Sequence, residues 1–147
     1  MNESQMRDRI RELLVSQKLA VLATQKDEQP YNCLVAIAGT ADLKDLLFST
    51  SRSTRKYNEL KHNPRVSILI DNRSNKESDF DRAVAITAIG RAMEAQGVDR
   101  DNLANIYLEK HPNLVNFVDS PDNALIRIAV EKYVISGFKD VWELYLD

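Results

Sequence analysis

The sequence has little of the side chains that most often bind metals or form cross-links. Its 147 residues include one cysteine, Cys33, and two histidines, His62 and His111. One cysteine cannot form an internal disulfide, and this set is a poor source of zinc ligands. Both histidines follow a lysine at an apparent helix end, where the helix dipole favours an imidazole. We therefore expect no metal site, no disulfide and a reducing compartment, the cytoplasm.

Glycine is also scarce, with four residues in the chain. Neither GxxxxGKS nor GxGxxG occurs, which argues against the phosphate loops of P-loop and dinucleotide-binding folds. No apolar run approaches the ~18 residues of a spanning helix, and the polar opening MNESQMRDRI lacks the apolar core of a secretory signal. A net charge of -2 provides no broad basic face. We expect a protein that binds neither nucleic acid nor membranes.

The hydrophobic pattern predicts one mainly β domain over residues 1–147. Helices are predicted over residues 2–17 and 54–61, after Asp99 and after Pro112. Six apolar stretches predict strands at residues 19–24, 31–38, 45–51, 65–71, 82–95 and 124–138, and the final KDVWELYLD has no clear pattern. Six strands with few helices favour a closed antiparallel barrel over a Rossmann sheet.

The stretch at 82–95, RAVAITAIGRAMEA, is apolar on both faces. One barrel can bury only one face of a strand, so the pattern predicts that the other face contacts a second copy in a homodimer. Gly90 in its interior predicts a β-bulge or a close approach of another backbone.

Residues 49–56, STSRSTRK, combine five hydroxyl side chains with three cations. A strand that ends in a turn and then enters a helix supplies backbone N–H groups, hydroxyl donors and cations to a phosphate. Thr50 and Thr54 can donate hydrogen bonds, Arg55 can bind two phosphate oxygens, and Lys56 adds a charge. The pattern therefore predicts a site for a small anion, with a solvated polar loop and helix cap as the alternative.

The order of these stretches resembles the pyridoxamine 5'-phosphate oxidase-like family of FMN-binding split β-barrels. The resemblance rests on AVLAT, QPYNCLVAIA, LLFSTSRSTRKYNELKHNPRVSILID and AITAIGRAME, in that order along the chain. It implies a six-stranded antiparallel split β-barrel of the Greek-key type.

The family pattern F-Y-T-x-x-x-S-R-K, which holds the FMN phosphate and part of the ribityl chain, aligns without a gap on residues 48–56. The resemblance thus assigns FMN binding to Ser49, Thr50, Thr54, Arg55 and Lys56. The strand that runs under the flavin ring aligns on residues 30–38 and adds Asn32, Cys33 and Leu34. Trp142 is assigned to an aromatic wall over the flavin of a second subunit, with a tail packed on the barrel as the alternative.

The sequence departs from the oxidases of the family at several positions. Cys33 and Ala38 replace an arginine and a lysine of the phosphate site, and Ala85 replaces a glutamine that contacts the ring. The C-terminal arginine signature that binds pyridoxal phosphate is not recognisable. The chain is therefore not expected to be a true pyridoxamine phosphate oxidase. Its specificity is expected to come from loop 72–81, the helices after Val98 and the segment around Trp142.

The resemblance implies an FMN-dependent oxidoreductase that acts on a small-molecule redox substrate, as a homodimer with FMN near the subunit interface. Three alternatives stay open at this point. They are a haem-handling barrel, although neither histidine lies in an obvious ligand position, a flavin-binding module without catalytic activity, and a barrel that uses the deazaflavin F420.

Overall fold

The computed structural model describes all residues from Met1 to Asp147 and contains eight β-strands and five α-helices. The strands are β1 Leu19–Lys26, β2 Gln29–Ala36, β3 Ala38–Gly39, β4 Asp45–Ser51, β5 Arg65–Asp71, β6 Ala85–Glu94, β7 Asn123–Ser136 and β8 Val141–Tyr145. The helices are α1 Glu3–Ser16, α2 Arg55–His62, α3 Asp79–Arg82, α4 Gly97–Lys110 and α5 Val115–Asp119, with a 3-10 turn at Pro112–Leu114. No helix combines the length and the apolar composition that crossing a bilayer requires.

All strands belong to one antiparallel sheet whose order is β2-β1-β5-β6-β7-β4-β3, with β8 paired to β7. The two outermost strands, β2 and β3, are separated in the chain only by Ile37. The sheet must therefore curl until its two edges meet. Because β2 pairs only with β1, and β4 pairs only with β3 and β7, the curled sheet stays split between β2 and β4.

This architecture confirms the predicted mainly β, antiparallel split barrel, with eight strands in place of six. The predicted strand at 31–38 divides at Ile37, whose N–H still donates to the carbonyl of Lys18 opposite it, while its own carbonyl accepts from Lys110 and His111. The final segment without a clear pattern forms β8 along the second half of β7.

The barrel interior is filled by alternate residues of the strands, and α1 covers part of it. The buried residues of α1 are Ile10, Leu13 and Leu14, which join the main hydrophobic core. Asn2 caps this helix, because its side chain accepts a hydrogen bond from the Gln5 N–H while the Gln5 side chain bonds back to the Asn2 N–H. The amphipathic first helix is therefore confirmed.

The C-terminal end of α4 is hydrogen-bonded to the junction between β2 and β3. The Lys110 ammonium donates to the carbonyls of Leu14, Gln17 and Ile37, so each of its three N–H groups has one acceptor. His111 adds a 2.7 Å hydrogen bond from its Nε2 to the same Ile37 carbonyl. Burial lowers the pKa of Lys110 to about 8 and also lowers the pKa of His111.

The β6–β7 ladder contains a bulge at Gly90, as predicted, and the extra residue is on β7. Ile89 lies opposite Lys132 and Gly90 lies opposite Val130, so that Glu131 has no partner across the ladder. A Cβ atom on Gly90 would lie 2.1 Å from the carbonyl oxygen of Ala129. The backbone of β7 therefore approaches the β6 backbone so closely here that only glycine fits.

Candidate functional site

The split between β2 and β4 opens into a cavity of about 320 Å³. Three elements contribute its walls: the end of β2, the end of β4 with the start of α2, and the helical insertion between β6 and β7. The lining residues are Leu34, Val35, Ala36, Ser49, Thr50, Ser51, Thr54, Lys56, Tyr107, Leu114 and Phe117. Four of the residues in the predicted anion site, Ser49, Thr50, Thr54 and Lys56, therefore share one cavity with Leu34 of the predicted ring-binding strand.

A chain of hydroxyl groups shapes the turn from β4 into α2. Thr54 is the N-cap of α2, and its Oγ1 accepts a 3.3 Å hydrogen bond from the Tyr57 N–H. The Thr54 hydroxyl donates to the Ser51 carbonyl over 2.8 Å and lies 3.0 Å from the Thr50 hydroxyl. Because the one Thr54 hydroxyl hydrogen points to Ser51, the Thr50 hydroxyl donates to Thr54. Both threonines thus have partners within the turn, and they hold it in place beside the cavity.

Ser49 has no such partner. It is 8% exposed, and its Oγ is the one buried side-chain oxygen or nitrogen atom of the chain without a hydrogen bond. Leaving a buried hydroxyl unsatisfied costs about 1–3 kcal/mol. Ser49 lines the cavity, so this hydroxyl lies beside the space that a ligand would occupy.

Lys56 is the cation that lines the cavity. It forms no ion pair, whereas both arginines of the 49–56 segment are paired with carboxylates. Its position in the first turn of α2 adds its charge to the partial positive charge of the helix N-terminus. The cavity therefore has one side that suits a phosphate.

Arg55 lies next to the cavity but does not line it. Its Nε donates to Glu59 over 3.0 Å, and its guanidinium carbon lies 4.2 Å from the centre of the Tyr31 ring. These contacts leave both terminal nitrogens without a hydrogen-bond partner in the chain. Its assignment to the phosphate stays a prediction.

Glu59 is a residue of the site that the sequence analysis missed. It is buried, and it accepts a 2.6 Å hydrogen bond from the Thr24 hydroxyl as well as the one from Arg55. These two hydrogen bonds, led by the one from Thr24, lower the pKa of Glu59. Its i, i+4 spacing from Arg55 was the available signal in the sequence.

The guanidinium group of Arg52 is hydrogen-bonded to other parts of the fold. Its guanidinium donates to the carbonyls of Pro121 and Asn123 and to Glu94, at distances of 2.7–3.0 Å. Tyr57 donates to the other oxygen of Glu94 over 2.8 Å. Arg52 therefore links the turn after β4 to β6 and β7, and it does not line the cavity.

The residues predicted on β2 lie on opposite faces of the strand, because side chains alternate along a strand. Leu34 is 64% exposed on the outer face of β2 and lines the cavity, while Asn32, on the same face, is exposed and lies outside it. Cys33 points the opposite way and packs against the barrel core, where burial raises its pKa. Trp142 is half-buried in β8, packs against the same core and does not line the cavity.

The helices after Val98, which were expected to contribute to specificity, supply one wall of the cavity. The individual residues Tyr107, Leu114 and Phe117 were missed. Their spacing in the sequence is ordinary for a helix that packs on a core, so no local signal distinguished them.

Comparison with known proteins agrees with this geometry. Residues 6–135 match the family described as pyridoxamine 5'-phosphate oxidase, and the chain belongs to that family. A Schizosaccharomyces pombe protein named as a pyridoxamine 5'-phosphate oxidase homolog is 28% identical over an alignment of 152 positions, gaps included, which covers 83% of this chain and 80% of that protein.

Two solved structures share the fold. A heme binding protein from Mycobacterium smegmatis aligns with a TM-score of 0.82 and 19% identity over 95% of this chain, and the alignment spans 57% of that protein. An FAD-binding protein from Mesorhizobium loti aligns with a TM-score of 0.68 and 20% identity, over 86% of this chain and 89% of that protein. At these identities the likeness concerns the fold.

Proposed function

We propose that the protein is an FMN-binding flavoprotein that acts as an oxidoreductase on a small-molecule substrate. The observation that carries the proposal is the unpaired Lys56 in the first turn of α2, which lines the same cavity as Ser49, Thr50 and Thr54. A phosphate accepts hydrogen bonds from an ammonium group and from the N–H groups of a first helical turn. FMN supplies the hydride or electron transfer, while the chain binds and orients it.

The apolar side of the cavity suits the rest of that ligand. Leu34, Leu114 and Phe117 face the same space as the polar turn, so a ligand with a phosphate at one end and an aromatic ring at the other matches both sides. The family membership and the FAD-binding relative support a flavin.

Haem is the second candidate, because a relative with this fold is a heme binding protein. The positions of both histidines favour the flavin. His111 is buried with its Nε2 bonded to the Ile37 carbonyl, and His62 lies at the end of α2 with its Nδ1 near the Asn58 carbonyl. Neither imidazole lines the cavity.

FMN is expected to bind at least about tenfold more tightly than riboflavin, because charge-assisted hydrogen bonds to the phosphate contribute about 1.5–3 kcal/mol. Fluorescence titration of the ligand-free protein with each flavin measures the difference. Equal affinities would remove the phosphate site from the proposal, and failure to bind either flavin would remove the proposal itself. Reduction of the bound flavin by NADH or NADPH, followed by turnover of an acceptor, distinguishes an oxidoreductase from a binding module.

The outer face of the sheet supports the homodimer of the proposal. Cross-strand partners on this face form a row across five strands, from β2 through β1, β5 and β6 to β7. The row consists of Leu34, Val21, Leu69, Thr87 and Val134. It begins at the cavity, so a second copy packed on this face would also border the ligand.

Sedimentation is therefore expected to give twice the 16.8 kDa mass of the chain. Replacing Leu34 by aspartate should shift the protein to a monomer, since a carboxylate in an apolar interface must be desolvated. Val15→Asp, on an exposed position of α1 outside the row, is the control. A wild-type protein that stays monomeric at micromolar concentration would contradict the homodimer.

A further inference from the structure

The split between β2 and β4 lacks a backbone ladder, and only one of its ends is closed by the pairing of β3 with β4. At the level of the cavity, β2 bonds only to β1 and β4 bonds only to β7. The two strands that the ligand would contact therefore share no backbone hydrogen bonds at this level. Away from the β3–β4 pairing, contacts from outside the sheet contribute to their separation.

Tyr107 of α4 supplies such a contact. Its side chain is fully buried, and its hydroxyl donates a 2.8 Å hydrogen bond to the carbonyl of Ala36 at the end of β2. Burial raises the pKa of Tyr107 to about 12. The ring packs in one hydrophobic cluster with Leu47 of β4, so the side chain bonds to the β2 side of the split, packs with the β4 side and lines the cavity between them.

The surrounding contacts hold the Tyr107 ring in this position. The ring packs in a second hydrophobic cluster on the outside of the barrel and lies 5.0 Å from the imidazole of His111. Lys110 and His111, on the following turn, bond to the carbonyl of Ile37, the residue after Ala36. The end of α4 is therefore fixed to the strand whose distance from β4 it would set.

We infer that Tyr107 is a positioning residue, which sets the distance between the β2 side and the β4 side of the cavity; the inference rests on the proposed binding of FMN. The phosphate side consists of Ser49 and Lys56, and the apolar side begins at Leu34. A ligand that reaches both sides depends on their separation. A free phosphate, which occupies one side, does not.

Tyr107→Phe tests this inference, and Tyr133→Phe is a matched control. Both tyrosines are fully buried, and each donates one hydrogen bond to a backbone carbonyl, that of Leu43 over 2.7 Å in the case of Tyr133. Tyr133 lies in the main core and not in the cavity wall. The two variants therefore lose the same kind of bond at comparable burial.

Tyr107→Phe is expected to weaken FMN binding by about tenfold. The dissociation constant of inorganic phosphate, measured by its competition with FMN, should stay within about twofold of wild type. Tyr133→Phe is expected to change neither. Without ligand, amide hydrogen exchange should accelerate at residues 34–36 and 48–51 in Tyr107→Phe alone. Equal FMN affinity in the two variants, or an equal loss of FMN and phosphate binding, would overturn the inference. If the wild type does not bind FMN, the proposed function fails, and identical exchange in the two variants would then overturn the positioning role as well.

Discussion

Replacing Gly90 by alanine is expected to destabilise the protein by about 3 kcal/mol or more, because the added methyl group has no space. Its Cβ would lie 2.1 Å from the carbonyl oxygen of Ala129, 2.9 Å from that carbonyl carbon and 3.0 Å from the Cα of Val130. All three atoms belong to the backbone of β7, so no side chain can rotate away. The β6–β7 ladder must shift, and urea unfolding followed by circular dichroism measures the loss.

Gly137→Ala is the matched control for this prediction. Its Cβ would meet only the Ala83 carbonyl oxygen, at 3.6 Å, which is an ordinary van der Waals contact. We expect its free energy of unfolding to stay within about 0.5 kcal/mol of wild type. A Gly90→Ala variant as stable as Gly137→Ala would mean that the bulge relaxes without cost.

The role of Gly90 shows what the sequence can and cannot predict about the fold. A glycine within an apolar strand indicates a bulge, and the structure has one at that position. The residue that bulges, Glu131, lies in another strand and has no local signal. The break at Ile37 is similar, since the Ile37 carbonyl accepts hydrogen bonds from Lys110 and His111, which lie far along the chain at the end of α4. A continuous apolar stretch therefore predicts one strand where the fold has two.

The candidate site divides in the same way. Ser49, Thr50, Thr54 and Lys56 fall within eight consecutive residues, so their proximity follows from the strand–turn–helix pattern alone. The pairing of Arg52 with Glu94 and the position of Tyr107 across the split depend on contacts between residues far apart in the chain. Periodicity and composition contain no information about such contacts. The polar side of the cavity was thus predictable, and most of its opposite wall was not.

The largest expected effect on ligand binding concerns the two cations at the start of α2. Lys56→Met should weaken FMN by about 1.5–3 kcal/mol and leave riboflavin affinity nearly unchanged, because the charge acts on the phosphate. Arg55→Ala should have the same selective effect, since its terminal nitrogens are free while its Nε is bonded to Glu59 and its guanidinium lies over Tyr31. Titration of each variant with both flavins measures these changes.

Arg52→Ala is the control, because this arginine belongs to the same turn but is bonded to Glu94, Pro121 and Asn123. Its removal should lower the midpoint of unfolding and leave the ratio of FMN to riboflavin affinity at its wild-type value. The ratio is the decisive quantity, since a variant that merely loosens the turn weakens both flavins together. If Lys56→Met and Arg55→Ala keep the wild-type ratio, the cations do not bind a phosphate, and STSRSTRK is a polar turn that only caps α2.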